Sequence, residues 1–239
     1  MINTFLFDLD GTLLRIGQKE FLEAYISQIT KIFVRLDYDP KAAIDALWAG
    51  TAAMMKNDGS MLNKDRFWNG FAKTLNLSGD NITRAEAACD SFYKNEFDEV
   101  KSLAVPTDVS AKLVRNAASK GFSVILATNP FFPLCAVETR LSWIGLTLSD
   151  FEYVTHYGNS SFCKPNPEYY KELLKKIKRE PKECLIIGNN PTEDMVACSL
   201  GIKGFLVEGF VEGEFEIKNA PFEHGSLTEL EIYLNEILG

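Results

Sequence analysis

The 239-residue sequence lacks several features that would place it in a particular protein class. It has no run of about 18 apolar residues, so we expect no transmembrane helix. Its five cysteines are widely spaced and form no C-x-x-C pair, which excludes a disulfide scaffold and favours a reduced, cytoplasmic location. The N-terminus has no basic leader before its first aspartate, so we interpret it as a strand rather than a signal peptide. No segment repeats at a fixed period, which excludes a solenoid.

Basic residues are also in deficit. Lysine and arginine number 25 against 33 acidic residues, and the net charge is −8. A chain of this charge repels a phosphate backbone, so we expect neither nucleic acid nor a membrane surface as a partner. The basic stretch Lys171–Lys182 carries a leucine and isoleucine stripe and is interpreted as the solvated face of a helix. An anionic substrate would have to be captured locally, by a metal ion or a well-placed cation.

Apolar residues make up 46% of the chain, and their spacing predicts an α/β fold. Short β-rich runs alternate with helical patterns, which is typical of a parallel sheet with helices on both faces. The predicted strands are Ile2–Phe7, Phe122–Ala127, Phe151–Thr155, Cys184–Ile187 and Ile202–Val207. The predicted helices between and after them are Thr107–Lys120, Pro133–Ile144, Pro167–Arg179, Thr192–Leu200 and Leu227–Leu238.

The region after the first strand has a different pattern. From residue 18 to residue 100, apolar residues recur at intervals of three and four, with no convincing strand. Four helices are predicted there, at Gln18–Arg35, Pro40–Asn57, Asn63–Asn76 and Ile82–Phe97. An all-helical block is therefore inserted into the sheet after its first strand.

Polar residues follow the predicted strands at the edge where a parallel sheet binds ligands. They are Asp8, Asp10 and Gly11 after the first strand, Thr128 and Asn129 after the second, Asn189 and Asp194 after the fourth, and Lys164 before a helix. Two aspartates one residue apart share a face in extended chain, and their charges need a cation nearby. Carboxylates with a substrate phosphate are the usual ligands of Mg²⁺. One aspartate can then attack phosphorus while the other protonates the leaving oxygen.

These motifs resemble those of the haloacid dehalogenase-like (HAD) hydrolase superfamily over essentially the whole chain. Asp8-Leu9-Asp10-Gly11-Thr12 is similar to motif one, D-x-D-G-T. Thr128 and Lys164 are similar to motifs two and three, and Gly188-Asn189-x4-Asp194 to motif four. The resemblance implies a Rossmann-like core, residues 1–15 and 104–239, and a helical cap domain, residues 16–103.

The resemblance also implies roles for these residues. Asp8 would be the nucleophile that forms an aspartyl-phosphate, and Asp10 the general acid and base, with its backbone carbonyl on Mg²⁺. The substrate's phosphoryl group would be contacted by Gly11, Thr128, Asn129 and Lys164, of which Thr128 and Lys164 are catalytic. The metal-site residues would be Asp8, Asp10, Asn189 and Asp194. Dehalogenases of the family lack an acid at the position of Asp10, so its presence favours phosphoryl transfer.

Asn189 departs from the family pattern, which usually has aspartate there. A carboxamide oxygen can coordinate a hard cation but brings no charge, so we expect weaker Mg²⁺ binding, with Asp194 or Glu193 compensating. The leading hypothesis is a Mg²⁺-dependent phosphatase acting on a small phosphorylated metabolite. One alternative is a phosphotransferase or sugar-phosphate mutase. The other is a catalytically weakened phosphate-binding or regulatory protein.

Overall fold

The fold is built on a single parallel sheet. A computed structural model describes residues 1–213 and 220–239. Its sheet has the order β3-β2-β1-β4-β5-β6, and every neighbouring pair is parallel. The strands are β1 Thr4–Phe7, β2 Ser123–Leu126, β3 Tyr153–Val154, β4 Cys184–Gly188, β5 Lys203–Val207 and β6 Glu223–Gly225. The order reverses between β1 and β4, and a sheet of this kind binds ligands beyond the carboxyl ends of the strands at that point.

The central strand β1 shows why both faces of the sheet are covered. All four of its residues are buried. Phe5 and Phe7 belong to one hydrophobic cluster, whereas Leu6 between them belongs to another on the opposite face. A strand buried on both sides reads as a continuous apolar run, which is what the sequence has here. The predicted α/β fold with helices on both faces is therefore confirmed.

Eight α-helices accompany the sheet in the described residues. Four of them precede β2: α1 Gln18–Arg35, α2 Pro40–Met55, α3 Asn63–Leu75 and α4 Asp80–Asn95. The others are α5 Val109–Ser119, α6 Leu134–Trp143, α7 Pro167–Ile177 and α8 Leu227–Leu238. Both α2 and α7 begin at a proline preceded by a capping residue, Asp39 or Asn166, whose side chain accepts a backbone N–H.

The helical insertion packs against the sheet domain through aromatic side chains. Phe21 and Tyr25 of α1 contact Phe132, which lies just before α6, at ring-centroid distances of 6.2 and 5.3 Å. A 3₁₀ segment, Phe97–Leu103, connects the insertion to the rest of the chain. The four helices occupy the positions predicted for them, and the division into a cap, residues 16–103, and a core, residues 1–15 and 104–239, stays a prediction.

Two local predictions differ from the structure. The predicted helix Thr192–Leu200 is a turn followed by a short 3₁₀ helix, Met195–Leu200. The Asn190 side chain accepts the N–H groups of Thr192 and Glu193, and these bonds hold the backbone in a turn where a helix would begin. Strand β6 was not predicted, because Glu-His-Gly has no apolar alternation and pairs only along one edge. Within the described ranges no helix has the length and apolar character needed to cross a membrane.

Candidate active site

Asp8 lies directly after β1, at the point where the strand order reverses. Its backbone N–H donates to Ile187 of β4 at 2.9 Å, so the sheet itself fixes the residue. One carboxylate oxygen, Oδ1, accepts a hydrogen bond from Lys164 Nζ at 2.9 Å. The other, Oδ2, is 3.1 Å from the hydroxyl of Thr12. The predicted nucleophile is therefore buried, oriented and next to a positive charge.

Lys164 is the cation that the acidic chain needs at this edge. Its side chain is fully buried, and Nζ lies 2.6 Å from Asp194 Oδ1 as well as 2.9 Å from Asp8 Oδ1. Burial opposes the charged form, but the carboxylates of Asp194 and Asp8 raise the pKa of Lys164 well above its usual value. Asn129 fixes the lysine backbone, because its Oδ1 accepts the Lys164 N–H and its Nδ2 donates to the Lys164 carbonyl. The lysine is therefore a permanently charged and rigidly placed group.

Asp10 has a partner that the sequence analysis missed. Its Oδ2 forms an ion pair with Nη1 of Arg140, a fully buried residue of α6. Asp10 Oδ1 is buried and accepts no hydrogen bond from the described part of the chain. Burial raises the pKa of Asp10, and the nearby Asp8 adds to this, while Arg140 opposes it. The spacing of Arg140 from the buried Ala136 and Val137 was the available signal, since it places the arginine on the apolar face of α6.

Thr128 and Gly11 complete the strand-edge loops. The backbone carbonyl of Thr128 accepts hydrogen bonds from the hydroxyls of Thr155, at 2.7 Å, and Tyr169, at 3.0 Å. Thr128 lines the same cavity as Asp8 and Asp10. Gly11 has φ +85°, and a Cβ there would lie 2.1 Å from Asn189 Nδ2. Glycine is needed at this position because the loop after β1 packs directly against Asn189.

Asn189 and Asp194 face the site in different ways. The Asn189 amide donates from Nδ2 to the carbonyl of Phe210 at 2.6 Å, which directs its Oδ1 towards Thr12, 3.0 Å away. Asp194 is 1% exposed, and both of its oxygens have partners, Lys164 Nζ at 2.6 Å and the Asn190 N–H at 3.0 Å. The structure thus gives Asp194 the role of holding Lys164, whereas Asn189 presents an amide oxygen beside the Asp8 carboxylate.

The donor set fits a hard divalent cation. The single proton of the Thr12 hydroxyl has two acceptors in range, Asp8 Oδ2 and Asn189 Oδ1, so one of these oxygens lacks a donor among residues 1–213 and 220–239. The described residues contain no group of three or more histidine, cysteine, aspartate or glutamate side chains placed to hold a metal ion. Mg²⁺ needs less, because it binds one or two carboxylates and keeps several waters. Asp8 and Asn189 can supply that minimum.

The charge balance around the site also favours a cation. Five carboxylates line the cavity: Asp8, Asp10, Glu193, Asp194 and Glu212. The cations that pair with carboxylates of this set are Lys164 and Arg140. Burial, with Asp8 adding to it, raises the pKa of Glu212 to about 7. Glu193 accepts a hydrogen bond from Asn129 at 2.8 Å, and burial raises its pKa. Its predicted contribution to a metal site stays a prediction.

The fold and this cluster define the class of the protein as a Rossmann-like α/β protein with its polar site at the carboxyl edge of the sheet. The chain belongs to the haloacid dehalogenase-like hydrolase family, whose sequence profile matches residues 2–199. The family resemblance is therefore confirmed.

The chain is also similar to individual known proteins. The chain is 25% identical over 115 residues to a bifunctional riboflavin kinase/FMN phosphatase of Arabidopsis thaliana, a match that covers 48% of this chain and 29% of that protein. It resembles the crystal structure of a HAD phosphatase from Thermococcus onnurineus, with TM-score 0.59, 20% identity and 98% of each chain covered. It also resembles a 2-haloacid dehalogenase from Pseudomonas syringae pv. Tomato DC3000, with TM-score 0.64, 15% identity and 99% and 100% of the two chains covered.

Proposed function

We propose that the chain is a cytoplasmic, Mg²⁺-dependent phosphomonoesterase that acts on a small phosphorylated metabolite through an aspartyl-phosphate at Asp8. The observation that carries this proposal is the Asp8 carboxylate, buried at the end of β1, hydrogen-bonded to Lys164 and open to a cavity that Asp10 also lines. A carboxylate held this way can attack phosphorus in a fixed direction.

In the first step, an Asp8 oxygen forms a bond to phosphorus as the bond from phosphorus to the leaving oxygen breaks. Asp10 gives a proton to that oxygen, and its side chain is placed for the task because it lines the cavity and is 27% exposed. The raised pKa of Asp10 favours the protonated form that this step requires. Water then attacks phosphorus, Asp10 accepts its proton, and Asp8 is released as a carboxylate.

The surrounding residues stabilise charge on the transferring group. Lys164 offsets the charge of Asp8 from behind that carboxylate, and Thr128, which lines the cavity at the end of β2, contacts the phosphoryl group. When bound, Mg²⁺ would be held by Asp8 and Asn189 with water, and would neutralise charge on the phosphoryl oxygens. Asp194 keeps the lysine in position throughout.

The test is Mg²⁺-dependent release of inorganic phosphate from a panel of phosphorylated metabolites. FMN belongs in the panel, because the Arabidopsis protein is named for FMN phosphatase activity. Asp8→Asn should abolish release, whereas Asp45→Asn, the same change on the exposed face of α2, should leave it unchanged. Wild-type protein that releases no phosphate with Mg²⁺ contradicts the proposal.

Asn189 supports the second candidate, a phosphate-binding protein with a weakened metal site. That protein would bind inorganic phosphate without turning over any member of the panel.

A phosphotransferase or mutase would use the same aspartyl-phosphate but pass the phosphoryl group to an acceptor hydroxyl. Its signature is a transferred or isomerised product with little free phosphate.

A further inference from the structure

The cavity above Asp8 has two chemically different ends. It has a volume of about 310 Å³ and extends from the strand-edge carboxylates into the helical insertion. The insertion's end is lined largely by apolar side chains, among them Leu22, Ile26, Trp48, Met55, Phe67 and Phe131. Ligand cavities commonly combine an apolar wall with a few placed polar groups. Here the charged side chains are confined to the strand-edge end, and the polar groups at the other end are uncharged, among them Gln18 and Thr51.

Several apolar side chains at this cavity are exposed, which is unusual for residues of their size. Trp48 is 46% exposed, Met55 54% and Leu22 36%. These three come from α1 and α2 and line the same cavity. Large apolar side chains gathered at one opening are typical of a surface that an apolar group covers when a ligand binds.

The charges of the cavity limit what that group can be. No lysine or arginine lines it in the part of the chain that the structure describes. Lys164 and Arg140 lie behind the carboxylates and are paired with Asp8, Asp194 and Asp10. A carboxylate or second phosphate on the substrate would lose water at the apolar end and gain no cation.

Resting on the proposed function, we propose that the leaving group of the substrate is an uncharged, mainly apolar alcohol with an aromatic or branched carbon skeleton. Its phosphate lies at Asp8, and its carbon skeleton lies against Trp48, Met55 and Leu22. The cavity therefore selects against small phosphomonoesters that carry a carboxylate or a second phosphate.

The test measures binding rather than turnover, so that it stands apart from the test of the proposed function. The affinities of full-length protein with Mg²⁺ for benzylphosphonate and phosphonoacetate are compared by titration calorimetry. Both ligands resist hydrolysis, and they differ in whether an aromatic ring or a carboxylate follows the phosphonate. We expect benzylphosphonate to bind at least tenfold more tightly. Equal affinities, tighter phosphonoacetate, or no binding of benzylphosphonate would overturn the proposal.

Two variants test whether the preference for benzylphosphonate depends on a side chain of the cavity. Trp48→Ala should lower the ratio of benzylphosphonate to inorganic phosphate affinity at least fivefold. Ile232→Ala, which removes a 57% exposed apolar side chain of α8 outside the cavity, should leave that ratio unchanged. An unchanged ratio in Trp48→Ala contradicts the assignment of the apolar group to this cavity.

A turnover measurement separates this proposal from the proposed function. Phosphate release from phosphoglycolate faster than from benzyl phosphate would overturn this proposal while the proposed function stands. No release from any phosphomonoester would contradict the proposed function itself.

Discussion

At the scale of single residues, the site depends on one buried lysine between two buried carboxylates. Lys164 pairs with both Asp8 and Asp194, which are buried from water. Removing one partner of a buried ion pair leaves an uncompensated charge, which costs far more than losing an exposed pair. The lysine therefore contributes to stability as well as to the proposed chemistry.

We expect Lys164→Met to lower the free energy of unfolding by about 3–5 kcal/mol, measured by urea denaturation. Lys171→Met, which breaks an exposed pair with Glu168, should cost about 0–1 kcal/mol. Adding Asp194→Asn to Lys164→Met should restore part of the loss, because it removes one of the two unpaired carboxylates. Equal effects of the two lysine substitutions would show that the buried pairs do not form.

The structure explains why asparagine is found at position 189, where the family pattern has aspartate. The family pattern suggests that aspartate would bind Mg²⁺ better, yet the structure uses the amide as a donor to Phe210 and as an acceptor from Thr12. A carboxylate cannot make the first of these bonds. The asparagine therefore holds the loop after β5 while it presents an oxygen to the site.

For Asn189→Asp we expect Mg²⁺ affinity to rise by roughly tenfold, since the site gains a full charge at a ligand position. The free energy of unfolding should fall by about 1–3 kcal/mol, because the Phe210 carbonyl loses its donor. Calorimetric titration and urea denaturation measure the two effects. Asn190→Asp adds the same charge one residue further on and should change Mg²⁺ affinity much less. Similar gains in both variants would mean that position 189 is not a ligand.

At the scale of elements, the close contact of α2 and α3 rests on two glycines. A Cβ at Gly50 would lie 2.6 Å from the Phe67 ring and 2.9 Å from the Phe67 carbonyl oxygen. A Cβ at Gly70 would lie 3.0 Å from the Ala49 carbonyl oxygen. Glycine in a helix lowers its propensity, so its presence at both positions reflects the approach of the two backbones.

We expect Gly50→Ala to lower the free energy of unfolding by about 1–3 kcal/mol, because overpacking outweighs the gain in helix propensity. Thermal or urea unfolding measures the effect. Ala52→Gly, on the exposed side of α2, sets the scale of propensity alone and should cost roughly 1 kcal/mol. A stabilised Gly50→Ala protein would contradict the close packing of these helices.

The elements also show where sequence patterns are sufficient. Long helices and buried strands such as β1 were predicted within a few residues of their bounds. Apolar residues at intervals of three and four indicate a helix with one buried face, and a continuous apolar run indicates a strand buried on both faces. Side-chain bonds to the backbone turn residues 190–194 away from the predicted helix, and no apolar period reports them. Strand β6 lies at the edge of the sheet and forms by pairing with β5, which is more than 15 residues earlier in the chain, so its own residues do not reveal it.

The site residues, like the helices and strands, were predicted where a local sequence pattern determines their position. Residues placed directly after strands, such as Asp8 and Asn189, could be assigned to one edge because parallel strands end together. Arg140 could not be paired with Asp10 in this way, because α6 brings it there across 130 residues. The apolar end of the cavity was also missed, since Trp48 has the spacing of a core residue but is half exposed.

At the scale of the whole molecule, part of the negative charge is concentrated at the candidate active site. The net charge of −8 includes five carboxylates around one cavity, and the buried cations beside them are Lys164 and Arg140. A divalent cation and a substrate phosphate can both be accommodated by this arrangement, because Mg²⁺ would offset the carboxylates and Lys164 offsets the charge of Asp8 from behind. In the proposed mechanism, Asp8 carries the phosphoryl group between substrate and water.

The most direct test of that claim is chemical trapping at residue 8. Protein is incubated with Mg²⁺ and acetyl phosphate, quenched, and treated with borohydride, which reduces an aspartyl-phosphate to homoserine, before peptide mapping by mass spectrometry. We predict homoserine at position 8 in wild-type protein and none in Asp8→Asn. Phosphate release with Asp8 unmodified, or an adduct at another residue, would contradict the account.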